Sequence, residues 1–278
     1  MDLFLIILAG IWLITASLQD LRKREVANWL SFSLIAFALA YRAFYSVFNN
    51  NPAYILFGLF GLGVFIILGY MLYYGRIFAG GDAKLLMGLG AVLPVSSSIS
   101  GNLMIFLSFI FLFLICGSVY GATWSLVLTY GYKEKFAKEF SKQFRKNIKI
   151  FYIAIAAAIL LGVFALFIKE YIFLLLPLII AILPFLLVYA RSVEESCMIV
   201  EIPGNKVTVG DWLYQQVKVR GKIIKPYWEG LSEKEVDLLK NAKKVKIKQG
   251  IPFVPVFFIA FLLFLFLRYS DWSFFQLF

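Results

Sequence analysis

The chain has 278 residues, no histidine and two cysteines. That inventory removes Ser-His-Asp and Cys-His nucleophile arrangements and every His-ligated zinc site. Cys116 and Cys197 are too few for a zinc cluster, and Cys116 lies inside an apolar run, so a structural disulfide is not expected. The chemistry left to this sequence is that of carboxylates. Of the sixteen acidic residues, eleven are interspersed with lysines in polar stretches, and Asp2, Glu170 and Asp271 fall at outer or terminal positions. Two remain: Asp20, at the end of the first apolar run, and Asp82, in Ala79-Gly80-Gly81-Asp82-Ala83-Lys84. Two carboxylates within a few Å of each other cannot both ionise. The ionised member can take a proton from water while its protonated partner polarises a carbonyl, so the pair can hydrolyse an amide with no metal and no cofactor.

Each of these residues also has an ordinary role. Asp20 can simply close a helix beside Arg22–Arg24, and Asp82 can serve as N-cap of the following helix. Against that, an acid at membrane depth is costly and points to function. Gly80 and Gly81 allow φ > 0 and close backbone approach beside Asp82. Arg22 and Asn28 are candidates to orient Asp20 by hydrogen bonding, or else Arg22 is a topology signal. Lys84 is placed either to act on Asp82 or to reach lipid headgroups.

These residues must be held by membrane helices. The composition is 62% apolar and 15% charged, outside the range of soluble domains, about 45–50% and about 25%. Apolar runs near 3–19, 27–48, 54–74, 84–100, 103–130, 150–168, 171–190 and 251–267 predict about eight transmembrane helices. The run at 84–100, broken by Gly88, Gly90 and Pro94, is expected to be short, kinked or partly re-entrant. With the N-terminus outside, 24 of the 27 Lys and Arg residues fall in inward loops, and only Arg42, Lys169 and Arg268 lie at outer ends. The positive-inside rule selects that orientation, with Asp20 and Asp82 both at the cytoplasmic face. The first run lacks a basic n-region and is expected to be a retained helix rather than a cleaved signal. The net charge of +11 is thereby a matter of topology, and no nucleic-acid partner is expected. Lys133 to Lys149 reads as a solvated or lipid-facing loop, and Trp12, Trp29 and Trp272 as interfacial anchors.

Residues 191–250 differ in kind. Short alternating runs about Arg220-Gly221-Lys222 predict a hairpin, Ser232-Glu233-Lys234-Glu235 a capping box opening a helix to about Asn241, and Val245/Ile247 a final strand. The expected fold class is therefore an all-α polytopic membrane protein with a small cytosolic α/β module before its last helix. The domains are 1–190, a transmembrane catalytic domain; 191–250, the module; and 251–278, a final helix with a short tail.

Three segments carry a resemblance. Asp20-Leu21-Arg22-Lys23-Arg24-Glu25-Val26-Ala27-Asn28-Trp29, Gly80-Gly81-Asp82-Ala83-Lys84 and Gly250-Ile251-Pro252-Phe253-Val254-Pro255 resemble, in order, motifs of the archaeal prepilin and preflagellin peptidases, membrane aspartic proteases of the GxGD class. Ala79 stands at the first Gly of that pattern and Ala27 where Pro is common. The resemblance implies that Asp20 and Asp82 are a catalytic dyad. It implies as substrates prepilin or preflagellin-like precursors, whose short basic leader precedes an apolar helix, and membrane lipids as surroundings. The CxxC motifs of bacterial relatives are missing, so methyl transfer is not expected. Two other readings of the same carboxylates stand beside it: a proton- or cation-coupled transporter, and a noncatalytic scaffold of a pilus assembly machine.

Overall fold

The computed structural model describes residues 2–168, 171–219 and 221–270. Lys169, Glu170, Arg220, Asp271 and Trp272, expected to be an interfacial anchor, lie outside the described residues. Two compact units are formed, one by residues 1–122 with 251–278 and the other by 123–250.

The first unit contains α1 (Leu3–Lys23), α2 (Asn28–Phe48), α3 (Pro52–Tyr74), α4 (Gly80–Val92), the larger part of α5 (Ile99–Gly131) and α10 (Pro255–Tyr269). The helices α1, α2, α3 and α5, together with α7 (Ile148–Ile168) and α8 (Leu175–Cys197) of the second unit, are long and apolar enough to cross a membrane. The chain is a multi-pass membrane protein. All eight apolar runs contain a helix, but α4 with 13 residues and α10 with 15 are shorter than the ~20 residues a full crossing needs. The run at 84–100 is displaced: its helix begins at Gly80 and stops at Val92, and residues 93–98 are not helical. Pro94 cannot continue a helix. The N–H groups of Val95 and Ser96 donate instead to Oδ1 of Asn102, both at 3.0 Å.

The core of this unit forms where α4 is enclosed. Leu85, Leu86 and Leu89 of α4 are fully buried with Leu5 and Leu13 of α1, Leu34 of α2, Phe65 of α3, Phe109 of α5 and Phe257, Phe261 and Phe264 of α10. A helix apolar on every side belongs in such an interior. Small residues let its neighbours come close: a Cβ on Gly61 would stand 2.3 Å from the carbonyl oxygen of Gly90, so only glycine fits this α3–α4 contact. Trp12 lies midway along α1 and donates to Oγ of Ser33 at 2.9 Å; it joins α1 to α2 and is not an interfacial anchor. Trp29 is exposed in the first turn of α2.

In the second unit, residues 133–146 are not a loop. They form α6 (Lys133–Lys146), whose Phe136 and Phe144 meet Tyr189 and Phe185 of α8 edge-on or tilted, at 5.5 and 6.4 Å. The apolar period of Phe136, Phe140 and Phe144 is obscured in the sequence by the lysines between them. A three-stranded antiparallel sheet has the order β1 (Ile199–Ile202), β5 (Val245–Lys248), β2 (Trp212–Leu213). The expected hairpin is β3 (Val217–Val219) with β4 (Lys222–Ile224), paired in register Val217 to Ile224. The expected capping box opens α9 (Glu233–Leu239), with Ser232 N–H donating to the Glu235 carboxylate at 2.9 Å. Val207, Leu213, Ile224, Leu239, Val245 and Ile247 make the module's own small core.

Candidate functional site

Asp20 lies in the last turn of α1, at the negative end of the helix dipole, where a carboxylate is disfavoured. It is nonetheless 6% exposed. Its compensation comes from a segment more than two hundred residues away, since Oδ2 of Asp20 accepts the N–H of Val254 at 2.9 Å. Val254 is the N-cap of α10 and Pro255 its first residue. The amides at that terminus have no partner within the helix, and the positive end of the α10 dipole meets the carboxylate. Pro252 and Pro255 leave no N–H of their own, so Val254 carries a donor that the helix ladder does not claim.

Asp82 is not the N-cap of α4. Ala79 holds that position, and Asp82 is the third residue of the first turn, where its carboxylate reaches back to the Ala79 N–H. It lies within the electrostatic field of Asp20. Each carboxylate therefore stands at a helix N-terminus, Asp20 at that of α10 and Asp82 at that of α4. The two come together because α1 ends where α4 and α10 begin.

The glycines beside Asp82 act through size rather than handedness. Gly80 and Gly81 are helical, and the positive-φ glycines among the described residues are Gly210, Gly221 and Gly230. A Cβ on Gly81 would sit 3.4 Å from Cβ of Val26 and 3.7 Å from its backbone nitrogen. The start of α4 thus lies directly on the turn between α1 and α2.

The supporting residues are rearranged relative to expectation. Lys84 donates from Nζ to Oδ1 of Asn28 at 2.7 Å, with the Phe32 ring 5.8 Å from its ammonium. Asn28 consequently serves Lys84 and not Asp20, and the pair ties the first turn of α2 to α4. Arg22 is exposed. The cation whose field acts on Asp20 is Arg24, the left-handed residue (φ 59°) whose N–H closes α1 on the Asp20 carbonyl at 2.8 Å. For a residue with a Cβ that conformation costs about 1–2 kcal/mol, and it turns the chain sharply into α2. Gln19 helps, accepting the Ala27 N–H at 3.1 Å. Tyr120 of α5 also lies within the field of Asp20. Sequence reasoning missed Arg24, Gln19, Tyr120 and the Val254 amide as parts of the site. Of these only Val254 had a signal, the two prolines that bracket it.

The helices of the first unit thus carry two carboxylates, Asp20 and Asp82, at adjoining helix ends, with the Val254 amide donating to one of them. Residues 7–126, which include Asp20 and Asp82, match the type IV leader peptidase family. The resemblance read from the three motifs is borne out. A preflagellin peptidase of Methanocaldococcus jannaschii is 34% identical over 88 residues, 32% of this chain and 37% of that protein. The preflagellin peptidase of Methanococcus maripaludis is also 34% identical over 88 residues, 32% of this chain and 38% of the relative. That of Methanococcus voltae is 32% identical over 82 residues, 30% of this chain and 35% of the relative. The chain thus spans little more than a third of the length of the curated relatives it matches. No solved structure matches it.

Proposed function

We propose that this protein is a membrane aspartic endopeptidase that removes the short basic leader from prepilin- or preflagellin-like precursors at the cytoplasmic membrane face. The observation that carries this reading is that the first turn of α4, which bears Asp82, lies on the turn that follows Asp20 at the end of α1, with a Cβ on Gly81 3.4 Å from that of Val26, in the segment that matches a leader peptidase family. One proton is shared between the two carboxylates. The ionised member takes a proton from the attacking water, and the protonated member donates to the scissile carbonyl oxygen as the tetrahedral intermediate forms. On collapse the protonated carboxyl gives its proton to the leaving amine while one hydroxyl of the intermediate returns its proton to the ionised carboxylate, so acid and amine are released and the pair again holds one proton. The roles belong to the pair and are not divided between named residues.

The proposed orientation supports the same reading. The helix ends that bring the carboxylates together adjoin Arg22, Lys23 and Arg24, the cluster that the positive-inside rule assigns to the cytoplasm. A precursor with a cytosolic leader and a membrane-embedded helix presents its junction at that depth. Residues 191–250 carry the small sheet and α9, and we assign them to substrate capture or regulation.

The test is cleavage of a peptide with a basic leader followed by an apolar helix, by the purified full chain in proteoliposomes. Asp20→Asn and Asp82→Asn are each expected to reduce kcat by ~10²–10⁴-fold or more while the protein accumulates in the membrane as before. Full cleavage by either variant rejects the dyad.

A further inference from the structure

Arg42 is the largest charged side chain buried in the first unit, at 0% exposure, and the proposed reaction does not use it. Its donors go to the far end of the helix that carries Asp82. Nε donates to the Ala91 carbonyl at 2.7 Å and Nη2 to that of Val92 at 3.1 Å. Nη2 also donates to the Pro94 carbonyl, and Nη1 to that of Tyr54 at 3.1 Å. The Tyr54 ring stands 4.6 Å from the guanidinium carbon. The groove that admits the side chain is made by Gly58, where a Cβ would come within 2.4 Å of Arg42 Cδ.

The physical need is clear from the length of α4. Thirteen residues rise about 20 Å, short of the ~30 Å hydrocarbon core, so the last carbonyls of α4 end inside the protein, away from water. Such carbonyls lack partners within the helix, and unsatisfied backbone is not tolerated at that depth. Arg42 supplies donors in a fixed fork. Asn102, also at 0% exposure, closes the segment that follows, accepting from Val95 and Ser96 and donating from Nδ2 to the Ser96 and Ser98 carbonyls, both at 3.0 Å. Apolar side chains seat in the glycine notches between α4 and its neighbours, Phe65 at Gly90, Met87 at Gly69 and Leu34 at Gly88, but such contacts carry no directional bond along the helix axis. The bonds from Arg42 to Ala91 and Val92 supply that direction at the buried end of α4.

We propose that Arg42 is a positioning residue for the Asp20–Asp82 pair: by capping the buried C-terminus of α4 it fixes the axial placement of that helix, and with it the place of Asp82 against Asp20. The proposal rests on the reading of the two carboxylates as the catalytic pair.

The experiment separates position from chemistry. A reporter pair, Val26→Cys with Gly81→Cys in a background where Cys116 and Cys197 are replaced by alanine, uses the 3.4 Å approach at the start of α4, close to the ~3.5–4.5 Å that a disulfide spans between Cβ atoms. Its oxidation rate reads the placement of α4 without reference to activity; cleavage is measured in proteins that lack the reporter. Arg42→Gln and Gly58→Ala, the second displacing Arg42 while keeping its charge, are each expected to slow cross-linking several-fold. Both should lower kcat by about 10–100-fold, the scale of a 1 Å misplacement, with KM near that of the parent. Arg42→Lys should recover part of both. Asp82→Asn should cross-link at the parental rate and fail to cleave; if it cleaves, the dyad reading fails while the cross-linking arm still reports on Arg42. Parental cross-linking in Arg42→Gln and Gly58→Ala overturns the proposal, and so does slowed cross-linking with unchanged kcat. Should Arg42→Gln not accumulate, Gly58→Ala alone decides by the same two readings.

Discussion

The N–H of Val254 donates to Oδ2 of Asp20 at 2.9 Å, joining the end of the first helix to the start of the last. The bond brings a carboxylate from a helix end that disfavours it to a helix end that welcomes it. It also brings a segment beyond the matched residues 7–126 against Asp20.

Removing that donor without removing the residue tests its role. Val254 has φ of −58°, within proline's range, so Val254→Pro deletes only the N–H and the side chain's bulk. A hydrogen bond to a charged group contributes about 1.5–3 kcal/mol, so cleavage should fall ~10–100-fold in Val254→Pro. Val254→Ala, which keeps the N–H, should stay within a few-fold of the parent. Equal activities in the two variants would show that the amide is idle.

The dependence of rate on pH should be bell-shaped. Below the acid limb both carboxylates are protonated and no base is available; above the alkaline limb both are ionised and no acid is left. Because the two interact, each limb reports the pair. A kcat profile of the parent that lacks either limb across the range where the protein stays folded counts against a shared proton.

Lys84 and Asn28 should behave as one unit. Loss of their 2.7 Å bond in Lys84→Met or Asn28→Ala is expected to reduce kcat by about 2–10-fold, in line with ~0.5–1.5 kcal/mol for a hydrogen bond. The double variant should be no worse than either single one, because partners in one interaction are not additive. Additive losses would mean that each residue acts separately.

Orientation is best tested at an introduced thiol. Cys197 is only 8% exposed, with Sγ beside Ser196 Oγ at 3.2 Å, and Cys116 is buried too. Lys234→Cys on α9, in a background without those cysteines, places a thiol at an exposed position. A membrane-impermeant maleimide should modify it in inverted vesicles and leave it untouched in intact cells. Labelling in intact cells reverses the orientation.

Several features were determined by the amino-acid sequence because they depend on local composition. Runs of apolar residues become membrane helices wherever backbone groups must satisfy themselves internally, and the capping box at Ser232 and the hairpin about Gly221 follow from residues a few positions apart. Asp20 and Asp82 stood out for the same reason: once histidine is missing, few residues in apolar surroundings can carry a proton. The tertiary structure decided what long-range contact decides. It placed Asp82 inside the first turn of α4, gave Asp20 its donor from Val254, moved Asn28 from Asp20 to Lys84 and set Arg24 in the place expected for Arg22. It also revealed the stripe of Phe136, Phe140 and Phe144 as a packed face of α6, which charge had hidden, and it buried Arg42 at the end of a helix too short to cross. Sequence spacing records which side chains share a helix face. Which carbonyl or carboxylate a side chain meets across fifty or two hundred residues is set by the packing of whole helices, and that packing was closed by glycine contacts and buried hydrogen bonds that no single segment encodes.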